Sequence, residues 1–117
     1  MPLPVSEGLL QRIYAVVQDR KRRAPQESYV ASLMARGQDQ VLKKVSEEAA
    51  ELLMASKDGR REAIVHEMAD LWFHALVVLG WHDISPREVL QELRHRFGKS
   101  GLRTHQSPIP TTPKQSA

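Results

Sequence analysis

Cysteine is absent from the chain, which excludes a disulfide scaffold, a thiolate zinc site and a cysteine nucleophile together. Aromatic residues are scarce at 5 %. The apolar content is carried by Ala, Leu and Val, a composition that suits packed helices. No window approaches about 18 uncharged apolar residues, so no segment reads as membrane-spanning. The opening MPLPVSEGLL also lacks the basic start and apolar stretch of a secretory signal. Neither sign of charge dominates: 17 Lys and Arg against 14 Asp and Glu leave +3, too mild an excess to imply nucleic acid by itself. What remains is 117 residues, 41 % of them hydrophobic. That is enough for one ordinary domain with a packed core, expected to be soluble and cytoplasmic.

The apolar spacing is helical almost throughout, with no alternating strand pattern and no internal repeat. Leu9, Leu10, Ile13, Val16 and Val17 step by three and four, predicting a first helix from Ser6, as N-cap, to Arg23, ended by Pro25. Ser28 caps a short second helix from Tyr29 to Arg36, which Gly37 stops. A third helix spans Gln38 to Ser56 with an apolar stripe of Leu42, Val45, Ala49, Leu52 and Leu53. Asp58-Gly59 marks a turn, and a fourth helix runs from Arg61 to Trp81. Ser85-Pro86-Arg87-Glu88 has the form of a capping box with proline at the first helical position, opening a fifth helix that reaches Phe97 and ends at Gly98. Met34, Met54 and Met68 read as core filler. The expected fold is therefore all-α, a bundle of about five helices over residues 1–103. Residues 104–117, rich in Pro, Ser, Thr and Gln, read as a disordered tail.

Five carboxylates stand out: Glu47, Glu48 and Glu51 on the third helix, Glu67 and Asp70 on the fourth. At about 100° per residue, Glu48 and Glu51 share one side of their helix, as do Glu67 and Asp70, and His74 continues the second stripe. Glu48 lies beside the apolar stripe, Glu51 further round and Glu47 furthest out. The run from Met68 to Leu79, MADLWFHALVVL, is apolar on every side except at Asp70 and His74. A helix of that kind is normally buried, which places Glu67 and Asp70 near the core, where an unpaired carboxylate is costly. Two antiparallel helices facing each other would gather Glu48, Glu51, Glu67 and Asp70 round one cavity. An all-oxygen set of that kind suits a hard ion such as Mg²⁺ or Mn²⁺. The competing reading for Glu47, Glu48 and Glu51 is a solvated face paired with Lys43, Lys44 and Lys57. For His74 a place in the core or behind the carboxylates is favoured over a ligand's role.

The segments EEAAE (Glu47 to Glu51) and EMAD (Glu67 to Asp70) resemble the EExxE…ExxD signature of the all-α nucleoside triphosphate pyrophosphohydrolases. With the segment Ser28-Tyr29, Lys43-Lys44 ahead of the acidic box and the run ADLWFHALVVL, the chain is more narrowly similar to the phosphoribosyl-ATP pyrophosphohydrolase family of histidine biosynthesis, from about Leu9 to Leu102. Ser46 departs from a frequent glycine, and the C-terminal ending differs from that of relatives.

The resemblance implies hydrolysis of phosphoribosyl-ATP between its α and β phosphates, giving phosphoribosyl-AMP and pyrophosphate. It further implies Glu48, Glu51, Glu67 and Asp70 as Mg²⁺ ligands, with Glu47 orienting or deprotonating the attacking water. Four carboxylates would repel a polyphosphate unless divalent ions intervened. Lys43, Lys44 and the run Arg20-Lys21-Arg22-Arg23 are candidates for holding phosphates, although cations at a helix C-terminus also satisfy its dipole. Ser28 and Tyr29 are either a cap and a core aromatic or substrate contacts. A homodimer is expected, because the fourth helix is apolar on more faces than one small bundle covers. The rival readings are a house-cleaning enzyme of the same superfamily acting on other nucleoside triphosphates, a nucleic-acid-binding module working through Arg20 to Arg23, and a purely structural dimerisation bundle.

Overall fold

The computed structural model describes residues 8–97. Five helices follow in order: α1 (Leu9–Arg23), α2 (Tyr29–Ala35), α3 (Gln38–Asp58), α4 (Arg61–Trp81) and α5 (Pro86–Phe97), with no strand among the described residues. The all-α expectation holds. The helices up to Ser85 form one compact unit, and α5 belongs to a second. The proposed cap Ser6, the stop at Gly98 and the tail from residue 104 lie outside the described residues.

The helix ends follow local chemistry. α1 starts at Leu9 behind Gly8 rather than directly after Ser6. It closes where Ala24, restricted by Pro25, turns left-handed at φ 48° and donates its N–H to the Arg20 carbonyl at 2.8 Å. Ser28 caps α2 as expected, its Oγ accepting from the Ala31 N–H at 3.1 Å. α3 runs two residues past Ser56, to Asp58. Gly59 at φ 72° then supplies the left-handed turn, and its N–H reaches the Ala55 and Ser56 carbonyls. Only Gly59 and Arg60 separate α3 from α4, so the two helices fold back as an antiparallel pair, the most extensive helix contact among the described residues. By itself α5 carries Glu88 in its first turn and Arg94, His95 and Arg96 in its last, matching the helix dipole.

The core is Val17 of α1, Val30 and Leu33 of α2, Val41 of α3 and Val77 of α4, flanked by Met34, Phe73, Val78 and Trp81. The α3 stripe read from sequence is rotated. Leu42 and Leu53 are exposed, while Val41, Glu48 and Ala55 are buried with Val45 and Leu52 between them. These five positions step by four and three, the register of a helix seam, and Glu48 occupies a core place in it. Met54, expected as core filler, is 68 % exposed. α4 is also less enclosed than expected, with Val65 and Trp72 exposed. By length and composition alone α4 could cross a membrane. Within this unit α4 brings Val77 into the core and holds His74 through both of its ring nitrogens.

One polar junction fastens α1 to the end of α4. Lys21 Nζ donates to the Gly80 and Trp81 carbonyls at 2.9 and 3.2 Å and to Asp83 Oδ1 at 3.0 Å. Lys21 thus caps another helix's C-terminus rather than its own. The helices touch closely here. A Cβ on Gly80 would lie 2.7 Å from Val17 Cγ1, so only glycine allows this approach.

The hydrogen bond from Gln18 at 2.9 Å, then that from Lys21, holds the Asp83 carboxyl below its ordinary value of 3.8. A carboxyl depressed on folding adds stability above its unfolded value, and that increment is lost as pH falls through the folded one. Asp83→Asn keeps a residue suited to the left-handed φ of 57° and removes the charge. We expect its melting temperature to lie below wild type at pH 7 and to converge on it toward pH 2–3, measured by circular dichroism across that range.

Candidate active site

The α3–α4 pair brings the two acidic segments together. Carboxylate oxygens of Glu48, Glu51 and Glu67 lie within 4.8 Å of one another, and those of Glu67 and Asp70 with a His66 ring nitrogen form a second such group. Glu67 belongs to both, so all four carboxylates singled out as ligands gather on one locus. Glu48 is 6 % exposed, and Glu67 is half-buried while Glu51 opens to solvent. Glu48 Oε1 and Glu67 Oε1 are buried with no hydrogen-bond partner. Burial first, then the neighbouring Glu51, pushes the Glu67 carboxyl above its usual range. Buried oxygens without donors, crowded with like charge, are what a hard cation satisfies, and every donor in the first group is oxygen. The residues fit a divalent metal ion.

Lys44 borders the cluster, its Nζ 3.3 Å from Glu48 Oε2 and 3.6 Å from Glu47 Oε1. Partial burial works against its charge, but Glu48, Tyr29 and Glu47 outweigh that and raise its pKa. Glu47 is exposed, as its outward angle predicted, and Lys43 stands 3.9 Å away. The solvated-face reading therefore describes Glu47 and Lys43 but fails for Glu48. Half of Tyr29 is exposed. Its hydroxyl lies 2.8 Å from His74 Nε2, and its ring meets His74 edge-on at 5.7 Å and Phe73 at 6.4 Å. Burial, opposed by Lys44 and reinforced by Glu48, Asp70 and Glu47, raises the phenol's pKa, which puts Tyr29 within electrostatic reach of the acidic cluster. Ser28 holds the start of α2 and so the place of Tyr29.

The basic run on α1 divides. Lys21 is committed to the end of α4. Arg23 forks onto Asp19 with two 2.8 Å bonds, and Arg20 also pairs with Asp19. Among the described residues Arg20 pairs on its own helix, not with the acidic cluster. Sequence reasoning missed the Tyr29–His74 bond and the place of Val41. A 45-residue separation hides the first. The second was legible in the four-and-three spacing through Glu48, had an acidic residue been admitted to a core stripe.

A profile of the family described as phosphoribosyl-ATP pyrophosphohydrolase matches residues 10–97. Among curated proteins the chain is similar to the phosphoribosyl-ATP pyrophosphatase of Geotalea daltonii, 50 % identical over 103 residues that cover 88 % of this chain and 97 % of the relative. It is 55 % identical over 95 residues to that of Geobacter sulfurreducens, covering 81 % and 88 %. With that of Nitrosomonas eutropha it shares 48 % over 111 residues, covering 91 % and 95 %.

The crowding of Glu67 has a direct consequence for the metal-free protein. A carboxyl with a raised folded pKa destabilises the fold once pH exceeds its unfolded value. Glu67→Gln removes that charge at constant size. In EDTA at pH 8 its melting temperature should exceed that of wild type. An equal or lower value in scanning calorimetry would show that the carboxylates are not in mutual repulsion.

Proposed function

The chain belongs to the phosphoribosyl-ATP pyrophosphohydrolase family, and from that membership we infer that it is a hydrolase of histidine biosynthesis. It cleaves phosphoribosyl-ATP to phosphoribosyl-AMP and pyrophosphate in the cytoplasm. The single observation that carries the site is that Glu48 and Glu67, whose carboxylates come within 4.8 Å across α3 and α4, each keep a buried oxygen with no hydrogen-bond partner. Glu48, Glu51, Glu67 and Asp70 would hold Mg²⁺, with Mn²⁺ an equivalent in charge and ligand preference. When bound, the ion screens the carboxylates from the polyphosphate and offsets charge on the departing pyrophosphate.

The chain's own residues supply the rest. Glu47, at the open edge of the site, orients the attacking water and accepts its proton. Lys44, held charged against Glu48, offers its remaining N–H donors to a phosphate oxygen, and the exposed Lys43 adds a second cation on the same helix. Ser28 accepts from Ala31, which leaves its O–H free to donate toward substrate. Arg20 serves the phosphate on the second ribose, the group that separates this substrate from ordinary nucleoside triphosphates. For that role its guanidinium must exchange Asp19 for the phosphate.

The exposed stripe Val65, Ala69 and Trp72 is apolar surface on the side of α4 away from Glu67 and His74. A second copy of the chain covers it in our reading, giving a homodimer. Static light scattering at micromolar protein should give twice the chain mass, and Trp72→Glu should reduce it to one. A wild-type monomer would overturn the dimer.

Purified protein should release pyrophosphate from phosphoribosyl-ATP with no earlier orthophosphate. EDTA should abolish this and Mg²⁺ restore it. Asp70→Asn should lower kcat/KM at least a hundredfold, about 2.7 kcal/mol of transition-state stabilisation, while its far-ultraviolet circular dichroism stays helical. Orthophosphate as first product, or equal turnover of ATP or deoxynucleoside triphosphates, would sink the substrate assignment.

A further inference from the structure

His74 is 6 % exposed, yet neither ring nitrogen lacks a partner. Nδ1 lies 2.8 Å from the Asp70 backbone carbonyl and Nε2 lies 2.8 Å from the Tyr29 hydroxyl. A carbonyl oxygen only accepts, so the proton on the Asp70 side belongs to Nδ1. In the neutral imidazole Nε2 is then an acceptor, and the hydrogen bond must run from Tyr29 to His74. Edge-on packing against both Tyr29, at 5.7 Å, and Phe73, at 5.2 Å, fixes the imidazole plane and with it this direction.

The consequence lies on the tyrosine. A phenol has one proton to give, and here it points inward. What Tyr29 retains toward its exposed side is acceptor capacity alone. It can give nothing to a phosphate or a carboxylate, both of which accept, and it can receive from an O–H or N–H. Lys44, the cation that acts on Tyr29, lies against Glu47 and Glu48, and its remaining donors are the ones assigned above to a phosphate oxygen. The polyphosphate is claimed by the acidic locus that Tyr29 adjoins, and the next group along a nucleotide from its α-phosphate is the sugar, whose hydroxyls donate.

We propose that His74 is a positioning residue that makes Tyr29 a one-way hydrogen-bond acceptor beside the carboxylate cluster, and that Tyr29 thereby reads a hydroxyl of the sugar next to the cleaved phosphates. The second half rests on the substrate reading above. The first half rests on geometry alone. It also explains a polar, doubly bonded histidine in a helix otherwise rich in apolar residues: the bond it makes is needed at the site, forty-five residues away along the chain.

Two measurements test it. Long-range ¹H–¹⁵N correlation spectra of the wild-type protein at pH 8.5 should show His74 protonated on Nδ1 and bare on Nε2. Tyr29→Phe should then shift the Nε2 resonance. A proton found on Nε2 overturns the proposal. In turnover of phosphoribosyl-ATP, Tyr29→Phe should lower kcat/KM about three- to tenfold, the size of one neutral hydrogen bond. The difference between variant and wild type should vanish with the analogue lacking either the 2′- or the 3′-hydroxyl of the adenosine ribose. A loss that persists undiminished with both analogues overturns the sugar contact, and no loss at all overturns the role of Tyr29. Wild-type protein inactive on phosphoribosyl-ATP would instead remove the substrate reading and the sugar contact with it, leaving the His74 spectrum to stand or fall independently.

Discussion

Carboxylate oxygens buried without hydrogen-bond donors are the constraint on which this fold is organised. Glu48 sits at a core position of α3, and one of its oxygens has no partner, as has one of Glu67 opposite. In a low-dielectric setting two such groups repel each other and lose hydration together. Lys44 relieves Glu48 on one side only. The two-residue link through Gly59 holds α3 and α4 in register, so the acidic groups cannot drift apart without unpacking the hairpin. The proposed metal site gains from this arrangement, because the carboxylates are already held close and bare.

The rest of the polar chemistry keeps that hairpin in place. Lys21 and Gln18 converge on Asp83, and Lys21 closes the exposed carbonyls at the end of α4. The missing side chain of Gly80 lets α1 come against the same helix end. Asp19 collects three arginines of α1 and keeps their charge local. At the other end of the site, α2 is short but well capped, and it delivers Tyr29 to His74. The start of α2 and the end of α4 are thus fixed by named contacts rather than by apolar packing alone.

α4 has two apolar faces with different work. Its inner side carries Val77 into the core and Glu67, Asp70 and His74 toward the site. Its outer side leaves Val65 and Trp72 in solvent. A helix that is apolar all round is explained when both faces are used, which is why the proposed dimer and the proposed metal site belong to one account of the same segment.

Sequence determined the helices themselves, their caps at Ser28 and Gly59, the acidic signature and the family that the comparisons bear out, because these depend on residues close together in the chain. It located Glu48 and Glu67 as partners through periodicity and a short turn. Which face of α3 points inward was decided by the tertiary structure. Apolar residues occur on two adjacent stripes, and packing chose the one through Val41, Glu48 and Ala55 over the one through Leu42 and Leu53. The exposure of Met54 and Trp72, the commitment of Lys21 to a foreign helix end and the bond from Tyr29 to His74 were likewise invisible beforehand. Each depends on where a second helix lies, and a local pattern states only what a residue can bury or bond, while the neighbours brought by folding decide whether it does.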